Sequence, residues 1–157
     1  MVITGGLDEG TRCDMTAVRH TGIVVADLDH VLGFWCGVLG FAVERRMEEA
    51  GPDLDSVLGL DQVRVTTVKL AAPNGGLIEL LRFDSHPDGT EWTGTPFSTG
   101  ITHVALTVDD IEAVCARAYE YGCEPGPRFE SPDGRVIMTY CRGPEGVLLE
   151  LVEEVGL

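Results

Sequence analysis

The chain has 157 residues, which suits one compact domain or two small modules sharing a core and excludes two large domains. Apolar residues make up 44% and charged residues 24%, which excludes fibrous and extensively disordered classes. Eleven Lys and Arg against 26 Asp and Glu leave a net charge of −15, so nucleic acid and anionic membranes are excluded as expected partners, because phosphate binding needs clustered cations.

Residues 1–15, MVITGGLDEGTRCDM, carry no basic stretch ahead of an apolar core and do not read as a secretory signal. They read as an acidic, Gly-containing tail that contributes little to stability. No run approaches the roughly 18 apolar residues of a spanning helix. The cysteines are Cys13, Cys36, Cys115, Cys123 and Cys141, odd in number and without a CxxC pair. That pattern predicts reduced thiols in the cytoplasm rather than a disulfide scaffold or a thiolate zinc site. Cys36 and Cys115 fall in apolar segments and are expected in the core.

VRHTGIVV (18–25) is rich in β-branched residues and predicts a strand. Asp27 stands where a helix N-cap belongs, before a helix predicted over 28–39 and stopped by Gly40. A short strand is expected at 41–47 and a third at 63–72, VRVTTVKLAA. The turn Asn74-Gly75-Gly76 leads into a fourth strand at 77–83. Residues 84–100, rich in Ser, Pro, Gly and Thr, read as a linker. The order then recurs: a strand at 101–108, an N-cap at Asp110, a helix over 111–121, a stop at Gly122, strands at 125–130 and 135–141, a turn at Pro144-Glu145-Gly146, and a last strand at 147–153.

The recurrence extends to individual residues. An offset of 83 places HTGIVVADLDHV, from His20, over HVALTVDDIEAV, from His103. An offset of 71 places PNGGLIELL (73–81) over PEGVLLELV (144–152), with Glu79 over Glu150. Two matches in the same order indicate a duplicated module. The difference of 12 between the offsets puts about a dozen extra residues in the first copy, between its helix and its last hairpin. The expected fold is α+β, two βαβββ modules: a tail at 1–15, module one at 16–83, a linker at 84–100 and module two at 101–157.

Four polar residues stand out on these apolar strands: His20, His103, Glu79 and Glu150. A single strand histidine is ordinarily a hydrogen-bonded core or edge residue, and a single strand glutamate ordinarily faces solvent. Here Leu77-Ile78-Glu79-Leu80-Leu81 and Leu148-Leu149-Glu150-Leu151-Val152 are apolar on both faces, and a carboxylate there is costly unless paired or bound to a cation. Two imidazoles and two carboxylates at equivalent repeat positions converge if the modules pack with pseudo-twofold symmetry. They make a ligand set for a divalent first-row metal. His30 reads as a surface residue on the first helix, and His86 as a linker residue. Trp92 and Phe97 suit covering a pocket or packing on a module, and Tyr140 suits core packing or a substrate hydrogen bond. No nucleophile elbow, phosphate loop or dinucleotide fingerprint is present.

These segments resemble the vicinal oxygen chelate superfamily of glyoxalase I, methylmalonyl-CoA epimerase, extradiol dioxygenases, and fosfomycin- and bleomycin-resistance proteins. The resemblance spans about residues 17–154. It is carried by His20-Thr-Gly-Ile-Val-Val-Ala-Asp-Leu with Val38-Leu39-Gly40-Phe41, Leu77-Ile-Glu79-Leu, Thr102-His103-Val-Ala-Leu-Thr-Val-Asp-Asp-Ile and Gly146-Val-Leu-Leu-Glu150-Leu. It implies a U-shaped barrel around one metal held by His20, Glu79, His103 and Glu150. The four-ligand set matches glyoxalase I. Extradiol dioxygenases and fosfomycin enzymes resemble a His–His–Glu set, and bleomycin-binding proteins use the fold without metal. The epimerase's third-strand glutamate has no counterpart in VRVTTVKLAA, which offers Thr66, Thr67 and Val68.

The implied activity is proton abstraction beside a carbonyl in a small substrate with vicinal oxygens, forming an enediolate, as in a lyase or isomerase. Glu150 is the leading base and Glu79 its partner. One divalent ion per chain is expected (Ni, Co, Zn, Mn or Fe), as is a homodimer. The alternatives are an iron-dependent dioxygenase using His20, His103 and Glu150, and a non-catalytic ligand-binding resistance protein. No run of Arg and Lys marks a pocket for coenzyme A or glutathione.

Overall fold

The computed structural model describes residues 16–156. The expected tail at 1–15 and Cys13 lie outside the described residues. Each module forms one sheet with a helix packed against it. In module one β1 (Thr21–Val24), α1 (Leu28–Gly37), β2 (Ala42–Ala50), α2 (Pro52–Leu58), β3 (Arg64–Ala71) and β4 (Leu77–Phe83) build a sheet of order β1-β4-β3-β2. In module two β5 (Val104–Thr107), α3 (Ile111–Tyr119), β6 (Glu124–Pro125), β7 (Phe129–Glu130), β8 (Val136–Arg142) and β9 (Leu148–Glu154) repeat it as β5-β9-β8-β6, with β7 also on β8. In both sheets the first strand pairs parallel with the last, and the last pairs antiparallel with the one before it.

The helices are where their caps predict. The Asp27 and Asp110 carboxylates accept from the backbone N–H of His30 and Ala113, at 3.0 and 2.8 Å. Gly40 and Gly122 adopt φ of 76° and 74°, the left-handed conformation that stops each helix. The first strands are shorter than expected. Thr21 pairs with Ile78 near the start of β4, so residues 18–20 find almost no ladder beside them. The dozen extra residues of module one lengthen β2 and form α2, which the sequence reading did not assign. Pro52 begins α2, and the Asp55 carboxylate ties its far end to β3 by accepting from Gln62 and Val63 N–H at 3.0 and 2.8 Å. The strand expected at 125–130 is broken into β6 and β7, because Pro125 and Pro127 have no N–H to donate.

The core lies between sheets and helices. Val68, Leu70, Ile78 and Leu80 are buried against Val31, Phe34 and Trp35 in module one; Cys141, Leu149 and Leu151 belong with Ile111, Cys115 and Ala118 in module two. Burial pushes the Cys36 and Cys115 thiols above the usual range, and the described cysteines are free. The modules meet along α1. Tyr121 packs edge-on to Phe34 at 5.9 Å, tight against Gly33, and the Arg117 guanidinium donates to the Gly37 carbonyl. Glu145, held at φ 56°, accepts from Ala26 and Asp27 N–H at 2.6 Å each, an anion at the positive end of α1. Phe34 touches Trp35 on one side and Tyr121 on the other, so Phe34→Ala should destabilise folding by about 3–5 kcal/mol. A loss of unfolding free energy in denaturant titration smaller than a quarter of that would deny Phe34 this bridging role.

Candidate metal and proton-transfer site

The His–Glu sets form as two matching pairs. His20, just before β1, places Nε2 at 3.0 Å from Glu79 Oε2 on β4. His103, just before β5, places Nε2 at 3.0 Å from Glu150 Oε2 on β9. The parallel pairing of first and last strands explains both contacts. Gly22 lies beside Glu79 and Ala105 beside Glu150, so each histidine, two residues earlier, shares the carboxylate's face. The four side chains are 14–31% exposed, half-buried and open to a ligand. The two pairs stay apart: among the described residues no three His, Cys, Asp or Glu side chains gather as an ion cage.

The pairs differ in their surroundings. The Thr102 hydroxyl meets His103 Nδ1 at 2.8 Å, whereas His20 Nδ1 is buried without a partner. The row beside each glutamate also differs. Lys69 is the cross-strand partner of Glu79, its Nζ 4.0 Å from Oε1. Tyr140 is the partner of Glu150, and its ring stands edge-on to His103 at 5.3 Å. Lys69 and Tyr140 are 71 residues apart, the same offset as Glu79 and Glu150. The sequence reading places Tyr140 in core packing or at a substrate and does not single out Lys69, although Lys69 is the only lysine in the chain. It also missed Glu49 on β2, whose Oε2 accepts from the Thr67 hydroxyl at 2.9 Å and so brings a carboxylate to the third strand from its neighbour.

A cavity of about 620 Å³ runs along the free edge of β1, against the linker and the residues leading into β5 and β9. Of the four candidate ligands His103 lines it, as do His86 and Trp92 of the weaker candidates. Trp92 is fixed by the Arg142 guanidinium 5.6 Å over its ring. Phe97 is 88% exposed and takes no part, and His30 is an exposed residue resting on Tyr121 at 5.5 Å. Asp84 on the cavity wall accepts from the buried Thr66 hydroxyl at 2.8 Å through Oδ2 and from Arg82 Nε at 2.7 Å through Oδ1. These bonds, Thr66 first, hold the Asp84 carboxyl below its usual 3.8. A lowered folded value stabilises the fold above the unfolded pKa, and that contribution is lost as pH falls through the folded value. Asp84→Asn should therefore lower the melting temperature at neutral pH, and the gap to wild type should close below about pH 4. A gap that stays constant into acid would contradict this.

Two imidazoles and two carboxylates suit a divalent first-row metal. The Thr102 hydroxyl behind His103 is the kind of partner that fixes a ligand's tautomer and leaves Nε2 to coordinate. The donor chemistry fits such an ion. No described helix is long and apolar enough to cross a membrane.

Comparison with known proteins agrees with this architecture. The family model of the Glyoxalase/Bleomycin resistance protein/Dioxygenase superfamily matches residues 17–151. A crystal structure of a glyoxalase family protein from Bacillus cereus has a TM-score of 0.84 and 28% identity, covering 92% of this chain and 98% of that one. The chain is 29% identical over 139 residues, 85% of its length and 92% of the relative's, to a protein of Synechocystis sp. named probable lactoylglutathione lyase. It is 28% identical over 137 residues, 87% of its length and 95% of the relative's, to the uncharacterized protein YaeR of Escherichia coli. With a family model spanning both modules and the paired βαβββ fold in place, the chain belongs to the Glyoxalase/Bleomycin resistance protein/Dioxygenase superfamily, the vicinal oxygen chelate proteins.

Proposed function

We propose that this protein is a cytoplasmic, divalent-metal-dependent lyase or isomerase that removes a proton beside a carbonyl of a small substrate with vicinal oxygens, giving an enediolate. The observation that carries this reading is the pair of His–Glu contacts, each 3.0 Å, at equivalent positions of two repeats. His20, Glu79, His103 and Glu150 are the ligands. The bound cation supplies Lewis acidity that makes a C–H beside a carbonyl easier to ionise. Glu150 takes the proton. Returning that proton to the same carbon gives an epimerase, and to the neighbouring carbon a glyoxalase-type product. The Synechocystis relative's name supports the lyase branch.

Because the two pairs are apart within one chain, the complete site belongs to a homodimer in which one copy lends His20 and Glu79 and the other His103 and Glu150. The free edges of β1 and β5, each paired on one side only, support that assembly. Val24, on the face of His20, is 61% exposed there.

A second reading has one observation in its favour. Lys69 already faces Glu79, which leaves His20, His103 and Glu150 as a three-ligand set of the non-haem iron type. Metal analysis of purified protein, then reconstitution with Ni, Co, Zn, Mn and Fe, separates these cases. Deuterium wash-in on 2-oxo acids, hemithioacetals or 2-methyl-branched acyl thioesters supports proton transfer. Oxygen uptake on catechols with iron alone moves the protein to the dioxygenases. Absence of any tightly bound metal makes it a binding protein.

A further inference from the structure

We infer that Lys69 and Arg45 form an oxyanion-recognition subsite on the open face of module one, which holds a carboxylate or phosphoryl group of the substrate beside Glu79. This deepens the proposed function by naming a charged substrate class, but the subsite itself is complete without metal.

Three observations converge on these two residues. Lys69 is the chain's only lysine, in a protein whose net charge is −15 and whose other basic residues are all arginine. Its side chain is 19% exposed, on β3 in the interior of the sheet, where a lysine packs its stem and keeps its ammonium toward the open face. Secondly, the sheet register sets Arg45 of β2 directly opposite Lys69. Like charges directly opposite on neighbouring strands repel, and an anion between them turns that repulsion into a binding site. Finally, the cation on the other side of this row is not fully spent. Lys69 Nζ is 4.0 Å from Glu79 Oε1, close enough for ion pairing and too far for a hydrogen bond, so its N–H donors are not committed to Glu79.

The shape of the row agrees with an incoming ligand. Arg45, Lys69, Glu79 and Gly22 are successive register partners across four strands. Gly22 has no side chain to cover Glu79, and it lies on the wall of the cavity. Module two keeps the same row with Ala105, Glu150 and Tyr140, a phenol in place of the ammonium. The duplicated modules have therefore diverged at one equivalent position, Lys69 against Tyr140. Module one orients a negative group there, and module two has a neutral phenol beside its carboxylate. Lys69 and Arg45 are specificity-determining residues in this scheme, with no part in bond breaking.

The single lysine makes the test direct. Reductive methylation with ¹³C-formaldehyde keeps the positive charge and gives one lysine resonance, distinct from that of the terminal amine. Chelator-treated, folded protein is titrated with lactate, with methylphosphonate and, as the neutral control, with lactamide. Saturable movement of the Lys69 resonance by lactate alone assigns the subsite to carboxylates, and by methylphosphonate alone to phosphoryl groups. Arg45→Gln, at an exposed position, should weaken the responding anion about tenfold, the worth of one charge-assisted bond. Lys69→Met should raise the KM of an anionic substrate by a similar factor and leave that of its neutral amide unchanged. No saturable shift with either anion, or equal shifts with lactamide, overturns the proposal. Because the titration is done without metal, its failure is separate from failure of metal binding, which is read by occupancy of the reloaded protein.

Discussion

His103→Ala should abolish tight metal binding while leaving the fold intact. His103 is half-buried at a strand entrance rather than in the core, and its contacts are Glu150 at 3.0 Å, Thr102 at 2.8 Å and the edge of Tyr140. Removing the imidazole takes away one donor atom outright. Removing the hydrogen bond behind a ligand typically costs about 10–100-fold in metal affinity, which is the effect expected of Thr102→Val. The alanine change at His103 should exceed it. Glu79→Gln should cost less than either, since an amide oxygen still coordinates. Occupancy is measured at sub-stoichiometric free metal, with circular dichroism on the same samples. Full occupancy of a folded His103→Ala protein removes this residue from the ligand set. Unchanged affinity in Glu79→Gln favours the three-ligand reading instead.

The architecture was legible because duplication writes each signal twice. His20 and His103, Asp27 and Asp110, Gly40 and Gly122, and Glu79 and Glu150 recur in the same order, and the structure puts each pair at equivalent places in the two modules. The unrepeated parts were harder to read. Helix α2 belongs to the insertion, so no second copy marked it, although Pro52 and Gly59 at its ends are ordinary helix punctuation. Lys69 and Tyr140 were hidden for the opposite reason. They occupy equivalent positions with unlike residues, and a search for identity passes over them. The pairing of Arg45 with Lys69 is visible only in the register, since a bulge between Val43 and Arg45 sets which residue of β2 lies opposite Lys69. The separation of the two His–Glu pairs was illegible too. It depends on how Tyr121 and Glu145 lock the modules together along α1, and neither contact has a sequence signature.

Glu150→Gln should suppress exchange of the substrate's α-proton with solvent by about 10²–10⁴-fold, with little loss of substrate binding. The amide keeps the size of the side chain, still accepts hydrogen bonds and still offers an oxygen, but it takes up no proton at neutral pH. Glu150 is preferred over Glu79 on geometry. The chain's one lysine stands beside Glu79, whereas the register partner of Glu150 is the neutral phenol Tyr140. His103 and Tyr140 instead hold the Glu150 side of the site, and His103 also lines the cavity. Loss of metal lowers binding and turnover together, so metal content is measured in the sample used for exchange. A metal-replete Glu150→Gln protein that retains exchange, alongside a Glu79→Gln protein that loses it, moves the base to module one. Tyr140→Phe separates the remaining possibility, that the phenol rather than the carboxylate transfers the proton. It should leave exchange within about tenfold of wild type if Tyr140 only orients His103, and should match the Glu150→Gln loss if the phenol is the acid–base group.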